Sequence, residues 1–280
     1  MKKEEIKEIK EIKKPKIIFI DLDGTTLDGP GEKFWQKEAT EYTKNVINKL
    51  QKSIPVIVST GRGVNPKTQA IVNGFGSSTY IAWNGAKTVI NGEVAHSNSI
   101  PKVIANELFE EIKKHKCFVV YDSNPRDNAY TKNKIYKLFM SFGKKTAKNY
   151  SEYNKNFEPL KALVWCLSKN KIMKLYHEWS KKFEGKLNVS LSGSNNILEI
   201  TNLGVSKGDE EVRLCKLWGI DPMEAMHIGD SNNDASTKGK IGTLVAMANS
   251  HQDLKDIADD FTEFTCDESG LARYLEQFLD

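Results

Sequence analysis

The sequence predicts an α/β protein in which a doubly wound, mostly parallel sheet carries an inserted α+β domain. Short, fully apolar segments alternate with amphipathic helical segments towards both ends of the chain, as in parallel strands joined by crossover helices. Between residues 85 and 200, hairpin and strand patterns dominate instead. Polar motifs follow several apolar segments directly, and ligands of open α/β sheets bind at such strand ends.

Length and composition fit two domains of ordinary size. The chain has 280 residues, and 39% of them are hydrophobic. Its 41 basic and 37 acidic residues give a net charge of +4 without a concentrated basic stripe, so we expect no nucleic-acid partner. No apolar run has the length of a membrane span, and the N-terminus lacks signal-peptide features. We therefore expect a cytoplasmic protein with no membrane partner, and the oligomeric state stays open.

The first part of the chain predicts a tail and half of the parallel sheet. Residues 1–14 alternate lysine and glutamate around a few isoleucines, which predicts a flexible tail. Residues 17–20 form a β-branched apolar run that predicts a strand buried on both faces. Apolar residues at helical spacing predict a helix over 36–51. Further strands are predicted over 55–58 and 79–83.

The middle of the chain predicts the inserted domain. Residues 87–95 contain Asn91-Gly92 between two β-prone segments, which is a strong signal for a hairpin. The other elements predicted here are helices over 101–115 and 171–183 and strands over 117–121, 160–167, 189–191 and 197–200. The last two strands are expected to be antiparallel around Gly193.

The alternation of strands and helices returns after Thr201. The elements predicted here are helices over 206–218, 251–258 and 270–279 and strands over 225–228 and 243–247. We therefore assign residues 15–84 and 201–280 to one discontinuous core domain and residues 85–200 to the inserted domain.

Two acidic motifs follow predicted strands. Asp21-Leu22-Asp23-Gly24-Thr25 comes directly after the first strand, and carboxylates this close repel each other unless a cation or proton compensates. The loop from Gly229 to Asp234 contains Asp230, Asn233 and Asp234, a set of oxygen donors that suits a hard cation. Both motifs predict a magnesium site at the carboxyl ends of the strands.

Two further motifs suit the binding of a phosphoryl group. Thr60-Gly61-Arg62 ends the second predicted strand and offers a hydroxyl and backbone N–H groups to phosphoryl oxygens. Lys207 opens a predicted helix, and the helix N-terminus adds positive potential to its ammonium group. Each motif is weak by itself and gains weight from the acidic motifs.

These segments, in this order and at matching strand ends, resemble the four motifs of the haloacid dehalogenase (HAD) superfamily. The matching segments are Asp21-Leu22-Asp23-Gly24-Thr25, Ser59-Thr60-Gly61-Arg62, Lys207-Gly208 and Gly229-Asp230-Ser231-Asn232-Asn233-Asp234. More narrowly, the chain resembles the Cof-type (type IIB) phosphatases, which carry a large cap between the second and third motifs. The resemblance implies a Rossmann-like core and a cap of the C2B type.

The resemblance also implies an activity: Mg²⁺-dependent hydrolysis of a small phosphorylated metabolite, such as a sugar phosphate, pyridoxal phosphate or FMN, through an aspartyl-phosphate. Asp21 would be the nucleophile and Asp23 the general acid and base. Magnesium would be held by Asp21, the Asp23 carbonyl and Asp230, with Asp234 as a near or water-mediated partner. The phosphoryl oxygens would be bound by Leu22, Thr60, Gly61, Lys207 and Asn233.

Two alternatives stay open at this point. A phosphomutase of the phosphomannomutase type shares this scaffold, but it would need several cap arginines to hold a bisphosphate in two orientations. The segment 85–200 contains one arginine, Arg126, which favours the phosphatase. A non-catalytic module that binds a phosphate ligand would be indicated by loss of a catalytic residue, and none of the four motifs lacks one.

The four cysteines carry no sign of a metal or redox motif. Cys117, Cys166, Cys215 and Cys266 show no CxxC spacing, which argues against a zinc knuckle and a thioredoxin-like pair. We expect reduced thiols because nothing in the sequence indicates export.

Overall fold

The computed structural model describes residues 12–31, 36–142, 146–192 and 196–279. Most of the predicted tail and Gly193 lie outside the described residues. Contacts divide the chain into two compact units. The first consists of Met1–Val58, Asn73–Ser77 and Val212–Asp280, and the second of Ser59–Val72 and Ser78–Glu211. The assignment of 15–84 and 201–280 to a core and of 85–200 to a cap stays a prediction.

Strands and helices alternate along most of the chain. The strands are β1 (Ile17–Ile20), β2 (Val56–Ser59), β3 (Tyr80–Ala82), β4 (Lys87–Ile90), β5 (Glu93–Ser97), β6 (Phe118–Tyr121), β7 (Ala129–Tyr130), β8 (Lys161–Trp165), β9 (Leu187–Ser192), β10 (Ile197–Asn202), β11 (Ala225–Gly229), β12 (Thr243–Ala246) and β13 (Asp260–Phe261). The helices are α1 (Glu41–Leu50), α2 (Pro66–Gly74), α3 (Lys102–Lys114), α4 (Lys134–Phe142), α5 (Lys169–Lys182), α6 (Lys207–Leu217), α7 (Gln252–Ile257) and α8 (Gly270–Leu275).

The first unit is built on a parallel sheet in the order β13-β12-β11-β1-β2. Strand β1 lies between β11 and β2, and all four of its residues are buried. In this register Phe19 lies opposite His227 on one side and Ile57 on the other. Because both neighbours are parallel, the ends of β1 and β11 carry their following loops to the same edge of the sheet.

An acidic side chain ties the first helix of this unit to its last. Thr40 caps α1, and its hydroxyl accepts a hydrogen bond from the Thr43 N–H over 3.3 Å. The Asp28 carboxylate accepts from the Thr40 N–H over 2.7 Å and from the Ser269 hydroxyl, just before α8, over 2.6 Å. Helices α1 and α8 therefore pack together around a buried carboxylate whose hydrogen bonds are satisfied.

The second unit contains an antiparallel run of three strands and a separate antiparallel sheet of five strands. Strands β3, β4 and β5 pair in that order, and the turn between β4 and β5 has Asn91 at φ 52° and Gly92 at φ 84°. This confirms the predicted hairpin, since two left-handed residues make the tight turn that Asn-Gly favours. The other sheet has the order β7-β6-β8-β10-β9, and its apolar core includes buried side chains from α3 and α5.

The α/β fold class is confirmed, and most of the predicted elements are present with boundaries within a few residues. Helices α2 and α4 and strands β7 and β13 were not predicted from the sequence. Helix α2 buries only Thr68 and Val72 of its nine residues, so its apolar periodicity is faint. Strands β7 and β13 contain two residues each, too few to show any period. In the part of the chain that the structure describes, no helix combines the length and apolarity that crossing a membrane requires.

Candidate active site

Three carboxylates converge at one edge of the parallel sheet. Asp21 follows β1, Asp230 follows β11, and Asp234 begins the short helical turn Asp234–Thr237. One oxygen from each carboxylate lies within 4.8 Å of the others. Asp21 and Asp234 are buried and Asp230 is half-buried. Acidic groups this close repel each other in the absence of a cation, and three carboxylates are a donor set that fits a hard divalent cation such as Mg²⁺.

The turn after β1 requires glycine because Asp230 approaches it closely. Gly24 has φ +84°, and a Cβ on it would lie 2.4 Å from Asp230 Oδ2. The Thr25 hydroxyl donates to Asp230 Oδ1 over 3.3 Å, and the Asn249 side-chain amide donates to the Gly24 carbonyl over 2.8 Å. The two acidic motifs are thus packed against each other, and Asn249, from the later segment Val245–Ser250, secures the turn.

The same turn fixes the backbone around Asp21 and Leu22. Leu22 is fully buried, and its carbonyl accepts from the N–H groups of Thr26 and Leu27, each over 3.0 Å. The Thr26 hydroxyl donates to the Asp21 carbonyl. Asp23 lies in this turn and is half-buried. A rigid turn places a buried carboxylate at Asp21 and a more accessible one at Asp23.

Asp234 organises the loop that follows β11. Its Oδ2 accepts from the Asp230 N–H over 3.1 Å and from the Ser231 N–H over 3.0 Å. Its Oδ1 accepts from Nε2 of His227, on β11, over 2.9 Å. A Cβ on Gly229 would lie 2.2 Å from Asp234 Cγ, so this side chain fills the space that the glycine leaves. The loop is folded around Asp234, whose role as a metal ligand stays a prediction.

Asn233 belongs to the same loop, and its Oδ1 accepts from the Ser231 hydroxyl over 2.7 Å. This contact holds the side-chain oxygen within the loop. The predicted contact of Asn233 with phosphoryl oxygens stays a prediction.

The predicted phosphate-binding residues Thr60, Gly61 and Lys207 belong to the second unit. The Thr60 carbonyl accepts from the Asn84 N–H over 3.0 Å, and a Cβ on Gly61 would lie 3.0 Å from Asn84 Oδ1. The loop after β2 therefore runs along the turn Trp83–Gly85. All three residues of that turn have positive φ, at 56°, 52° and 99°.

The same turn lies against the start of α6. A Cβ on Gly85 would lie 2.2 Å from the Ser206 carbonyl oxygen, so only glycine allows this approach. Ser206 caps the helix: its hydroxyl accepts from the Asp209 N–H over 3.1 Å and donates to Asp209 Oδ2 over 2.6 Å. Lys207, the first residue of α6, is fully buried. An ammonium group buried at a helix N-terminus is a strong attractor for an anion.

Glu210 and His227 hold hydrogen bonds that were not predicted from the sequence. Glu210 lies one turn into α6, is buried, and accepts from the Thr88 hydroxyl and His96 Nδ1, the latter over 3.2 Å. It ties the β4–β5 hairpin to the helix that begins at Lys207. For His227, the available signal was a histidine inside the apolar strand β11, followed seven residues later by Asp234.

The known proteins that this chain resembles include several phosphatases. The family model of haloacid dehalogenase-like hydrolases matches residues 18–275. The chain is 28% identical to phosphatase YwpJ of Bacillus subtilis, over 94% of this chain and all of that protein. It is 24% identical to the 5-amino-6-(5-phospho-D-ribitylamino)uracil phosphatase YbjI of Escherichia coli, over 84% of this chain and 85% of YbjI.

A solved structure shows the same fold. The HAD subclass IIB sugar phosphatase BT4131 superposes with a TM-score of 0.71 at 20% identity, covering 94% of this chain and 98% of BT4131.

Proposed function

The chain belongs to the haloacid dehalogenase-like hydrolases and is a Cof-type phosphatase of that family. We propose that it depends on Mg²⁺ and acts on a small phosphorylated metabolite through an aspartyl-phosphate. The observation that carries the proposal is the cluster of Asp21, Asp230 and Asp234 at the strand ends. A carboxylate attacking a phosphate meets strong repulsion, and a divalent cation bound by such a cluster removes much of it.

The proposed mechanism assigns the reacting groups to the turn after β1. An Asp21 carboxylate oxygen attacks phosphorus while the bond from phosphorus to the ester oxygen breaks, and Asp23 gives its proton to that oxygen. Asp23 then takes a proton from water, whose oxygen attacks phosphorus and displaces Asp21. The half-buried position of Asp23 supports this role, since an acid and base must reach both the leaving group and water.

Charge and positioning supply the remainder of the catalysis. In the proposal Asp21, Asp230 and the Asp23 carbonyl would hold Mg²⁺, with Asp234 as a near or water-mediated partner. Leu22, Thr60, Gly61, Lys207 and Asn233 bind the phosphoryl oxygens. The burial of Lys207 at the start of α6 supports this assignment, because an ammonium there complements a phosphoryl oxygen without competition from water.

Two relatives support a small metabolite as the substrate. YbjI is named for a ribitylamino-uracil phosphate, and BT4131 is described as a sugar phosphatase. Both substrates combine a phosphate ester with a polyhydroxylated carbon chain. We accordingly place sugar phosphates and ribityl phosphates, FMN among them, first in the substrate class and pyridoxal phosphate next.

Phosphate release from a panel of these esters tests the proposal. We expect release by the wild-type protein with Mg²⁺, none with EDTA, and a loss of about a thousandfold or more in Asp21→Asn. Asp253→Asn, an exposed aspartate on α7, is the matched control and should retain wild-type rates. Undiminished release in EDTA would overturn the metal requirement, and normal turnover by Asp21→Asn would overturn the covalent step.

A further inference from the structure

Cys117 and Cys166 lie side by side in the second unit although 49 positions separate them in the chain. Cys117 directly precedes β6 and Cys166 directly follows β8. These strands are antiparallel with Phe118 opposite Trp165, so the register extended by one residue places the two cysteines opposite each other. Their Sγ atoms are 3.0 Å apart, and both residues are free thiols.

This placement allows a disulfide without rearrangement of the sheet. Directly opposed residues of antiparallel strands have Cα atoms about 4.5–5.5 Å apart. A disulfide joins Cα atoms that are about 4.4–6.8 Å apart, so the opposed pair falls inside this range. Both strands lie in the interior of the order β7-β6-β8-β10-β9, which holds the pair in register.

The two thiols have different surroundings. Cys166 is half-buried, whereas Cys117 is fully buried. A hydrogen bond from the Cys117 thiol lowers the pKa of Cys166, and the nearby Lys171 ammonium acts in the same direction. The same hydrogen bond, together with burial, raises the pKa of Cys117. Cys166 is thus suited to react first as a thiolate, and Cys117 to act as the resolving thiol.

We propose that Cys117 and Cys166 form a reversible dithiol–disulfide site that low-molecular-weight disulfides oxidise. The Cys166 thiolate attacks one sulfur of the external disulfide, whose S–S bond breaks and releases one thiolate. Cys117 then loses its proton and attacks Cys166 Sγ, which releases the second external thiol. Two protein thiols become one disulfide and the external disulfide becomes two thiols, so electrons and protons balance.

The remaining cysteines provide an internal control. Cys215 lies on α6 and Cys266 begins a short helical turn near α8, and both belong to the first unit. Both are buried, and burial raises the pKa of Cys266 to about 12, which suppresses its thiolate. The site is independent of the proposed phosphatase chemistry, because no residue assigned to that chemistry contributes to it.

Intact-mass spectrometry of the folded full chain with oxidised glutathione tests the proposal. We expect a product lighter by two hydrogen atoms, a peptide map that joins Cys117 to Cys166, and full reversal by dithiothreitol. The double variant Cys215→Ser/Cys266→Ser should behave identically. Cys117→Ser should stop at a stable adduct of one glutathione, and Cys166→Ser should react at least about tenfold more slowly than Cys117→Ser.

Circular dichroism of each variant before oxidation establishes that it is folded. A wild-type protein that keeps both thiols, or that accumulates a glutathione adduct without closing the disulfide, would overturn the proposal. So would a cross-link that involves Cys215 or Cys266, or one that forms only in denaturant.

Discussion

Replacing His227 by leucine is expected to loosen the loop after β11. His227 Nε2 donates to Asp234 Oδ1 over 2.9 Å, and both side chains have 0% exposure. Leucine fills much of the imidazole volume but carries no donor, so Asp234 Oδ1 would lose this hydrogen bond in a place shielded from water. Because Asp234 Oδ2 also holds the N–H groups of Asp230 and Ser231, the disturbance would reach the acidic cluster.

The expected loss of stability in His227→Leu follows from the burial of the pair of His227 and Asp234. Removing one partner of a buried pair costs about 3–5 kcal/mol of folding free energy if both groups are charged, and about 1–3 kcal/mol if the imidazole in the wild type is neutral. A loss of about 3 kcal/mol corresponds to about 6–12 °C in the melting temperature of a domain of this size. We expect His227→Leu to fall in that range and to weaken Mg²⁺ binding by about tenfold or more, as loss of an outer-shell partner does.

Thermal melts with and without Mg²⁺, and calorimetric titration of Mg²⁺ into the apoprotein, measure both effects. His227→Gln is the matched control, because its side-chain amide can still donate to Asp234, and it should recover most of the stability and affinity. If His227→Leu melts within about 2 °C of the wild type and binds Mg²⁺ equally well, the pair does not hold the loop. Equal losses in the glutamine and leucine variants would show that shape, and not the donor, is what matters.

Three further changes test other parts of the structure. In a urea titration, Gly85→Ala should lower the free energy of unfolding by about 2 kcal/mol or more, because its Cβ would meet the Ser206 carbonyl. Gly204→Ala, at φ +75° with nothing within 4 Å, should lower it less. Asp28→Ala should lower the free energy of unfolding by about 2–4 kcal/mol, and Asp28→Asn by less, since the carboxylate accepts four hydrogen bonds from Thr40, Thr43 and Ser269. The free energy of unfolding should decline as the pH rises from 10 towards 12. Burial raises the pKa of Tyr136, Tyr150 and Tyr153 to about 12. The folded state therefore keeps protons that the unfolded chain has already released in this pH range. Ionisation of all nine tyrosines near pH 10 in the folded protein, followed by ultraviolet absorbance, would contradict the last expectation.

The sequence predicted the fold well where burial imposes a clear pattern. Strand β1 is buried on both faces, so its four residues are all apolar and could be recognised without any partner. The β4–β5 hairpin was predictable because Asn91 and Gly92 tolerate left-handed backbone. Helix α2 was not, since it starts at a proline and buries little apolar surface, so packing rather than pattern decides its conformation.

The acidic cluster was predictable for a topological reason. Carboxylates that directly follow parallel neighbouring strands arrive at one edge of a sheet, so Asp21 and Asp230 could be brought together from strand order alone. The partner of His227 could not, because it depends on how the loop after β11 folds back towards the strand. The contact between Glu210 and His96 likewise joins residues 114 positions apart through tertiary packing, which no local spacing encodes.

Glycine lets a charged or polar group approach the backbone closely at three turns of the chain. Gly24 and Gly229 leave the space that the carboxyl groups of Asp230 and Asp234 occupy, and Gly85 leaves the space for the Ser206 carbonyl at the start of α6. In each case a charged or polar group is brought to the backbone, where its orientation depends on main-chain geometry more than on a flexible rotamer. Catalysis of phosphoryl transfer depends on such preorganised charge. An added methyl group at Gly24 or Gly229 should therefore lower the rate of phosphate release, because it would displace the carboxyl group of Asp230 or Asp234 from its place beside the backbone.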